Sequence, residues 1–310
     1  MKALIIYHRA DSDGLLSEAI VRTKLAESGD QITSIGMDYE DPTPELPQFD
    51  VCYMVDFTQD ELLSHQWFRH KTILIDHHKT ALEKWSPHRN DFLGFHLKEG
   101  RGACMTAWEI MHPDEHVHEF IVWVGMRDVW AHKGMPIERD AELIELGLRS
   151  EWPPDFEALL KCPEDETERL WRTGRAVERY AKTQLLELAK RGAHLLHWSG
   201  LRFLCLNSQQ RGSPTLEELA DMLRETEPTW DALMVWALGR DGKTVNVSMY
   251  HDAHSQLIDL SKIAKDHGGG GHPGACGFRI PVITWALLIN EGARSLCPSG
   301  SNTDENQTVR

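Results

Sequence analysis

Apolar residues early in the chain fall into short unbroken runs, and between those runs they recur at helical spacing. Ala3-Leu4-Ile5-Ile6-Tyr7 is a compact run ending at His8, the pattern of a strand buried on both faces. From Gly14 to Val21 the apolar positions repeat with a helical period, and Gly29 supplies a stop. Further strands are predicted at 31–36, 51–55 and 71–75, the last two running straight into Asp56 and Asp76. Strands alternating with helices imply an α/β fold with a mostly parallel sheet, whose ligands bind beyond the carboxyl ends of the strands. The acidic segments at 11–13, 56 and 76 then fall on one sheet edge.

Helices are predicted at 102–112, 116–131 and 138–149, and Trp152-Pro153-Pro154 breaks the pattern. A long helical signal runs from Pro163 to Gly192, with Glu164, Asp165, Glu166 and Glu168 in its first turns and Lys190 and Arg191 in its last. That charge order complements the helix dipole, and the segment reads as a connector. The expected organisation is an α/β domain over 1–160, a helical linker over 161–193, a smaller α/β domain over 194–291 and a disordered tail over 292–310. In the smaller domain, strands are predicted at 201–206, 231–238, 243–250 and 276–281, with helices at 215–226, 259–267 and 282–291.

A length of 310 residues suits two domains. The formal net charge of -15 argues against stable binding of duplex nucleic acid, which requires many phosphates to be neutralised by Lys and Arg. Cys52, Cys104, Cys162, Cys205, Cys276 and Cys297 show no paired spacing and read as reduced thiols of a cytoplasmic protein. No stretch approaches the roughly 20 apolar residues of a membrane span.

The chemistry lies in four short segments: His8 with Asp11-Ser12-Asp13-Gly14, then Asp56, Asp76-His77-His78, and Arg127-Asp128. His8, Asp11, Asp13, Asp56, His77 and Asp128 supply the imidazoles and carboxylates that two adjacent divalent cations need. The four carboxylates among them would balance two dications. A ligand set without thiolate suits Mn²⁺, with Mg²⁺ or Co²⁺ as alternatives. Taken alone, Asp11-Ser12-Asp13-Gly14 also reads as a turn or helix cap, and it fails as an EF-hand loop because Leu15 and Arg22 stand where ligands belong.

In these residues the sequence resembles the DHH phosphoesterase family. Asp76-His77-His78 matches the motif that names the family, His8 with Asp11-Ser12-Asp13-Gly14 is similar to its first motif, and Asp56 and Asp128 fit the second and fourth. The resemblance implies one metal held by His8, Asp11 and Asp56, and another by Asp13, Asp56, His77 and Asp128. Asp76 and His78 are then the catalytic pair, with His78 facing substrate phosphate. Gly268-Gly269-Gly270-Gly271-His272 is similar to the glycine-rich signature of the domain that follows the DHH domain in the family. Consecutive glycines there let backbone N–H groups form an anion nest, so Gly269, Gly270, Gly271 and His272 are expected substrate contacts. Many relatives carry an arginine in the preceding strand where this chain has Tyr250, which leaves Arg101 and Arg127 as replacements for the missing charge.

Gly269, Gly271 and Gly274 also satisfy a dinucleotide fingerprint, but a predicted helix precedes them where a strand is required. His112, His116 and His118 read as surface or satisfied histidines, and Trp108, Trp123 and Trp130 as packing residues. The expected activity is a two-metal, manganese-dependent hydrolysis of phosphodiester bonds in short oligonucleotides or linear dinucleotides. The competing expectations are a phosphomonoesterase or phosphoanhydride hydrolase acting on 3′-phosphoadenosine 5′-phosphate, polyphosphate or pyrophosphate, and a catalytically silent nucleotide sensor.

Overall fold

The computed structural model describes residues 1–39, 41–208, 230–251, 258–272 and 274–294. The chain divides into two compact units, Met1–Glu178 and Arg179–Arg310.

The first unit is built on a five-stranded sheet of order β2-β1-β3-β4-β5, from β1 (Lys2–His8), β2 (Gln31–Met37), β3 (Val51–Val55), β4 (Thr72–Asp76) and β5 (Gly94–Leu97). All four pairings are parallel. Alternation along β1 shows why its apolar run is unbroken: Ala3 and Ile5 enter one core, Leu4 and Ile6 the other. Val51, Tyr53 and Val55 of β3 share the first core, and Cys52 and Met54 the second. A strand buried on both faces has no position to spare for a polar residue.

Helices α1 (Ser12–Glu27), α5 (Ala103–Met111) and α6 (Glu119–Asp128) cover the first face. Short helices α2 (Asp60–Ser64), α3 (Gln66–Arg69) and α4 (Lys79–Trp85) cover the second through Leu62, Phe68 and Trp85. Helices α7 (Glu138–Ser150), α8 (Phe156–Lys161) and α9 (Pro163–Gly192) complete the helical set. The helix expected over 116–131 is shorter than its pattern: it starts after His118 and ends at Asp128, and Trp130 takes φ +59, outside helical geometry.

Within the helical layer, Lys133 Nζ donates to Glu142 Oε1 at 2.7 Å, and His132 stands 3.8 Å from the same oxygen. Burial would raise Glu142, but His132 and Lys133 outweigh it and hold its carboxyl below the ordinary glutamate value. A depressed carboxylate contributes stability above its unfolded pKa and loses it as pH falls through the folded value. Glu142→Gln is therefore expected to cost about 1–2 kcal/mol at neutral pH and progressively less as pH falls below the ordinary glutamate value, read by urea unfolding at neutral and acid pH. A deficit that does not shrink as the pH falls would show that the charge contributes nothing.

The second unit carries a six-stranded mixed sheet of order β10-β11-β9-β8-β7-β6. Its strands are β6 (His194–Trp198), β7 (Leu201–Asn207), β8 (Ala232–Leu238), β9 (Thr244–Tyr250), β10 (Gly270–His272) and β11 (Ala275–Pro281). Helices α10 (Leu260–Asp266) and α11 (Val282–Arg294) pack on Phe203, Met234, Val247 and Phe278 through Leu260, Ala264 and Trp285. Strand β6 joins β7 through Ser199 (φ +51) and Gly200 (φ +78), the two left-handed positions of a tight hairpin. The helix expected over 215–226 and most of the tail expected over 292–310 lie outside the described residues.

Candidate metal centre

The strand order brings the carboxyl ends of β1, β3 and β4 side by side. Each delivers part of one cluster. His8 closes β1, Asp56 follows β3, and Asp76 closes β4 ahead of His77 and His78.

Asp11 is the N-cap of α1, its side chain accepting the Gly14 N–H at 2.9 Å. The cap and ligand readings of this motif are compatible, because the other carboxylate oxygen, Oδ2, lies 2.6 Å from His8 Nδ1. Asp13, in the first turn of α1, is 1% exposed and accepts N–H groups from Ala103 at 2.6 Å and Cys104 at 2.9 Å. These are the opening N–H groups of α5, where partial positive charge favours a carboxylate. The approach depends on Gly102, where a Cβ would stand 2.4 Å from Gly125 Cα and 3.0 Å from Asp13 Oδ1.

Asp56 occupies the centre. Its Oδ2 lies 3.7 Å from His8 Nδ1 and its Oδ1 3.0 Å from His77 Nε2. One carboxylate therefore presents an oxygen to each side. His77 Nε2 is also 3.1 Å from Asp128 Oδ2 and 3.6 Å from Asp13 Oδ2. Asp56 is 1% exposed and holds φ +54, a left-handed conformation that is uncommon for non-glycine residues and that clusters at functional sites.

Asp76 Oδ1 accepts the His77 N–H at 2.7 Å and the His78 N–H at 3.1 Å, and pairs with His78 Nδ1 at 2.6 Å. That leaves His78 Nε2 facing outward, 3.3 Å from Tyr39 Oη. Asp76 thus sets the pose of both histidines.

Two groups, His8-Asp11-Asp56 and Asp13-His77-Asp128, each bring one ligand atom per residue to within 4.8 Å of the others. A third, Asp56-Asp76-His77-His78, overlaps them. His8 Nδ1, His77 Nε2, both oxygens of Asp56 and Asp76 Oδ2 are buried and form no hydrogen bond. Buried polar atoms in native structures have partners. The His8, His77 and Asp56 atoms lie within ion-pairing distance of one another without hydrogen-bond geometry, and the donor set fits a divalent metal.

The electrostatics agree. Burial raises Asp13 well above an ordinary carboxyl, reinforced by the charges of Asp56 and Asp128, and burial raises Asp56 as well. Burial alone would lower His8 and His77, yet the carboxylates against them prevail and raise His8 to about 10 and His77 to about 11.

Both arginines nominated as substrate clamps are already engaged. Arg101 Nη2 pairs with Glu109, and Arg127 Nη1 lies 3.7 Å from Glu145, a residue that also binds Ser12 Oγ at 2.9 Å. The glycine run differs from an open nest. The Gly268 and Gly269 N–H groups cap α10 on the carbonyls of Lys265 and Ala264, and Gly270 pairs with Gly277 in the sheet. The His272 side chain lies outside what the structure describes. Sequence reasoning missed Asp38, Tyr39 and Glu145. Asp38 Oδ1 stands 3.7 Å from His8 Nε2, a placement that only the β2-β1 pairing creates.

No protein-family model matches the chain. It is 26% identical over 250 residues to Oligoribonuclease NrnB of Bacillus subtilis (strain 168), covering 72% of this chain and 56% of the relative. It is 28% identical over 221 residues to Uncharacterized protein R106 of Acanthamoeba polyphaga mimivirus, covering 69% and 49% respectively. The chain thus spans about half the length of these curated relatives. An exopolyphosphatase-related protein from Bacteroides fragilis shares its fold at a TM-score of 0.50 and 11% identity, over 95% of this chain and 92% of that one. In these motif residues and in these similarities the chain resembles the DHH phosphoesterase family. The residues that carry this resemblance lie together in space, around Asp56.

Among the described residues, no helix is long and apolar enough to cross a membrane. Cys52, Cys104, Cys162, Cys205 and Cys276 are free.

Proposed function

We propose that the protein is a divalent-cation-dependent phosphodiesterase of the DHH type that hydrolyses short oligonucleotides or linear dinucleotides. The observation that carries this reading is the two-sided presentation of Asp56, one oxygen toward His8 and the other toward His77. His8, Asp11 and Asp56 would hold one cation, and Asp13, Asp56, His77 and Asp128 a second. Manganese is favoured by the mixed imidazole and carboxylate donors, with Mg²⁺ or Co²⁺ as substitutes. When bound, such a pair lowers the pKa of a water and neutralises charge on a phosphoryl group.

The protein's own residues supply orientation and a proton. The Ala103 and Cys104 N–H groups fix the Asp13 carboxylate, so its remaining lone pairs stay directed at the cluster. Asp76 raises the pKa of His78 against the lowering effect of burial, and its hydrogen bond at Nδ1 leaves Nε2 as the donor. A protonated His78 Nε2 at the cluster's rim is placed to bind a phosphate oxygen and to protonate the leaving oxygen. Gly270, Gly271 and His272 enter as contacts to the substrate end, and His272→Ala is expected to raise KM for a dinucleotide while changing kcat little.

Low net basicity supports a short substrate, and the relative named an oligoribonuclease supports the same class. Free thiols and the absence of a membrane-length helix among the described residues support a cytoplasmic location. The test is a Mn²⁺-supplemented hydrolysis panel of di- to decanucleotides, cyclic dinucleotides, 3′-phosphoadenosine 5′-phosphate and pyrophosphate, with Asp13→Ala as control. Faster turnover of dinucleotides than of pyrophosphate or the monoester is expected. The reverse order would replace this reading with a phosphomonoesterase or phosphoanhydride hydrolase, and no turnover of any member would favour a nucleotide sensor.

A further inference from the structure

The turn after β2 places a large aromatic ring at the metal centre, and nothing in the motif chemistry requires it. Tyr39 is 60% exposed, although its ring centroid lies 5.2 Å from that of His8 and 5.3 Å from that of Phe57. Its hydroxyl reaches His78 Nε2 at 3.3 Å, and the two rings meet edge to face with centroids 6.3 Å apart. Phe57 beneath it is 2% exposed, so one edge of the tyrosine rests on the core while much of the ring faces solvent.

The turn is held. Asp41 accepts the Asp38 N–H at 2.7 Å, its own N–H bonds Asp38 O at 3.0 Å, and Arg9 pairs with both Asp41 oxygens. An exposed aromatic on a braced turn loses little conformational freedom when a ligand covers it. Of the two arginines beside the motif segments, Arg101 pairs with Glu109 and Arg127 Nη1 lies 3.7 Å from Glu145, so each is at least partly engaged. Beside the proton donor stands a flat π-face, and the planar partner of a phosphodiester is its base.

We propose that Tyr39 is a substrate-binding residue that stacks on a nucleobase adjoining the scissile phosphate, making the substrate a base-bearing nucleotide rather than a bare phosphoanhydride. This rests on the phosphodiesterase reading for its catalytic meaning, but the stacking itself is measured by binding. Aromatic–base stacking is insensitive to sequence, so the preference is for the presence of a base and not for its identity. The hydroxyl plays a lesser part, steadying His78 Nε2 between turnovers.

The test uses the full chain with Mn²⁺ and two phosphorothioate-linked probes, a dinucleotide and a counterpart with tetrahydrofuran in place of both nucleosides, titrated calorimetrically. Wild type is expected to bind the base-bearing probe roughly 5- to 150-fold tighter, the range that removal of one stacking aromatic gives. Tyr39→Ala should bring the ratio close to one, Tyr39→Phe should keep most of it, and both should match the wild-type circular dichroism and Tm because the ring is exposed. An unchanged ratio in Tyr39→Ala, or no base preference in wild type, overturns the proposal. Turnover is read separately on ordinary phosphodiester probes. Base preference without cleavage would sink the phosphodiesterase reading and leave the stacking intact, whereas equal binding and cleavage of both probes would do the opposite.

Discussion

Asp56→Asn is expected to lower phosphodiesterase activity by at least roughly 10³-fold, about 4 kcal/mol of transition-state stabilisation, because it removes the charge shared by both halves of the cluster. Asparagine keeps the shape and tolerates the left-handed backbone at φ +54, so the variant should fold. Burial raises the Asp56 carboxyl, which means its ionised form costs stability in the metal-free protein. Metal-free Asp56→Asn should therefore melt no lower than wild type. At a Mn²⁺ concentration 100 times Kd, wild type should gain about 2.7 kcal/mol from binding, while the variant gains almost none. Asp56→Ala would add about 1 kcal/mol of backbone strain to the same loss of activity. Full activity in Asp56→Asn, or an undiminished Mn²⁺ stabilisation, would remove Asp56 from the centre.

Gly14→Ala should be strongly damaging although it replaces no ligand. Gly14 sits in the first turn of α1, where helix propensity alone predicts that alanine stabilises by about 1 kcal/mol. The added Cβ would stand 2.1 Å from His8 O and 2.8 Å from His8 Cβ, and the obstacle is backbone that cannot swing aside. The sign should reverse, to a loss of about 2–4 kcal/mol, as α1 is pushed from the end of β1. That same displacement separates His8 from Asp11 and Asp13, so Mn²⁺ affinity should fall by roughly 100-fold in whatever protein still folds. A variant as stable as wild type, or more stable, would mean that the strand–helix junction has slack the structure does not show.

Much of this was legible in the chain because β1, β3 and β4 are buried on two faces, and such strands advertise themselves as apolar runs ending where chemistry begins. The parallel order then placed His8, Asp56 and Asp76 on one edge without any knowledge of side chains. Asp11 illustrates how two readings of one motif can both hold, since it caps α1 through one oxygen and meets His8 with the other. Less was visible where partners are remote in sequence. Glu109 and Glu145 neutralise the two arginines, and neither carboxylate carries a motif that would have warned of it. Asp38 and Tyr39 depend on the β2-β1 pairing. Strand β6 escaped notice because its hairpin uses Ser199 before Gly200 in place of the commoner asparagine. The glycine run read as an anion nest because consecutive glycines permit one, but the free carbonyls at the end of α10 claimed two of its N–H groups first.

The most direct test of the whole account is the stoichiometry of Mn²⁺ bound to the full chain, counted by equilibrium dialysis with elemental analysis. Two ions per chain are expected for wild type, one for His8→Ala and for Asp128→Ala, and none tightly held by Asp56→Asn. A wild-type chain that binds no more Mn²⁺ than Asp56→Asn would contradict the account, because the buried carboxylates would then have no cation to hold.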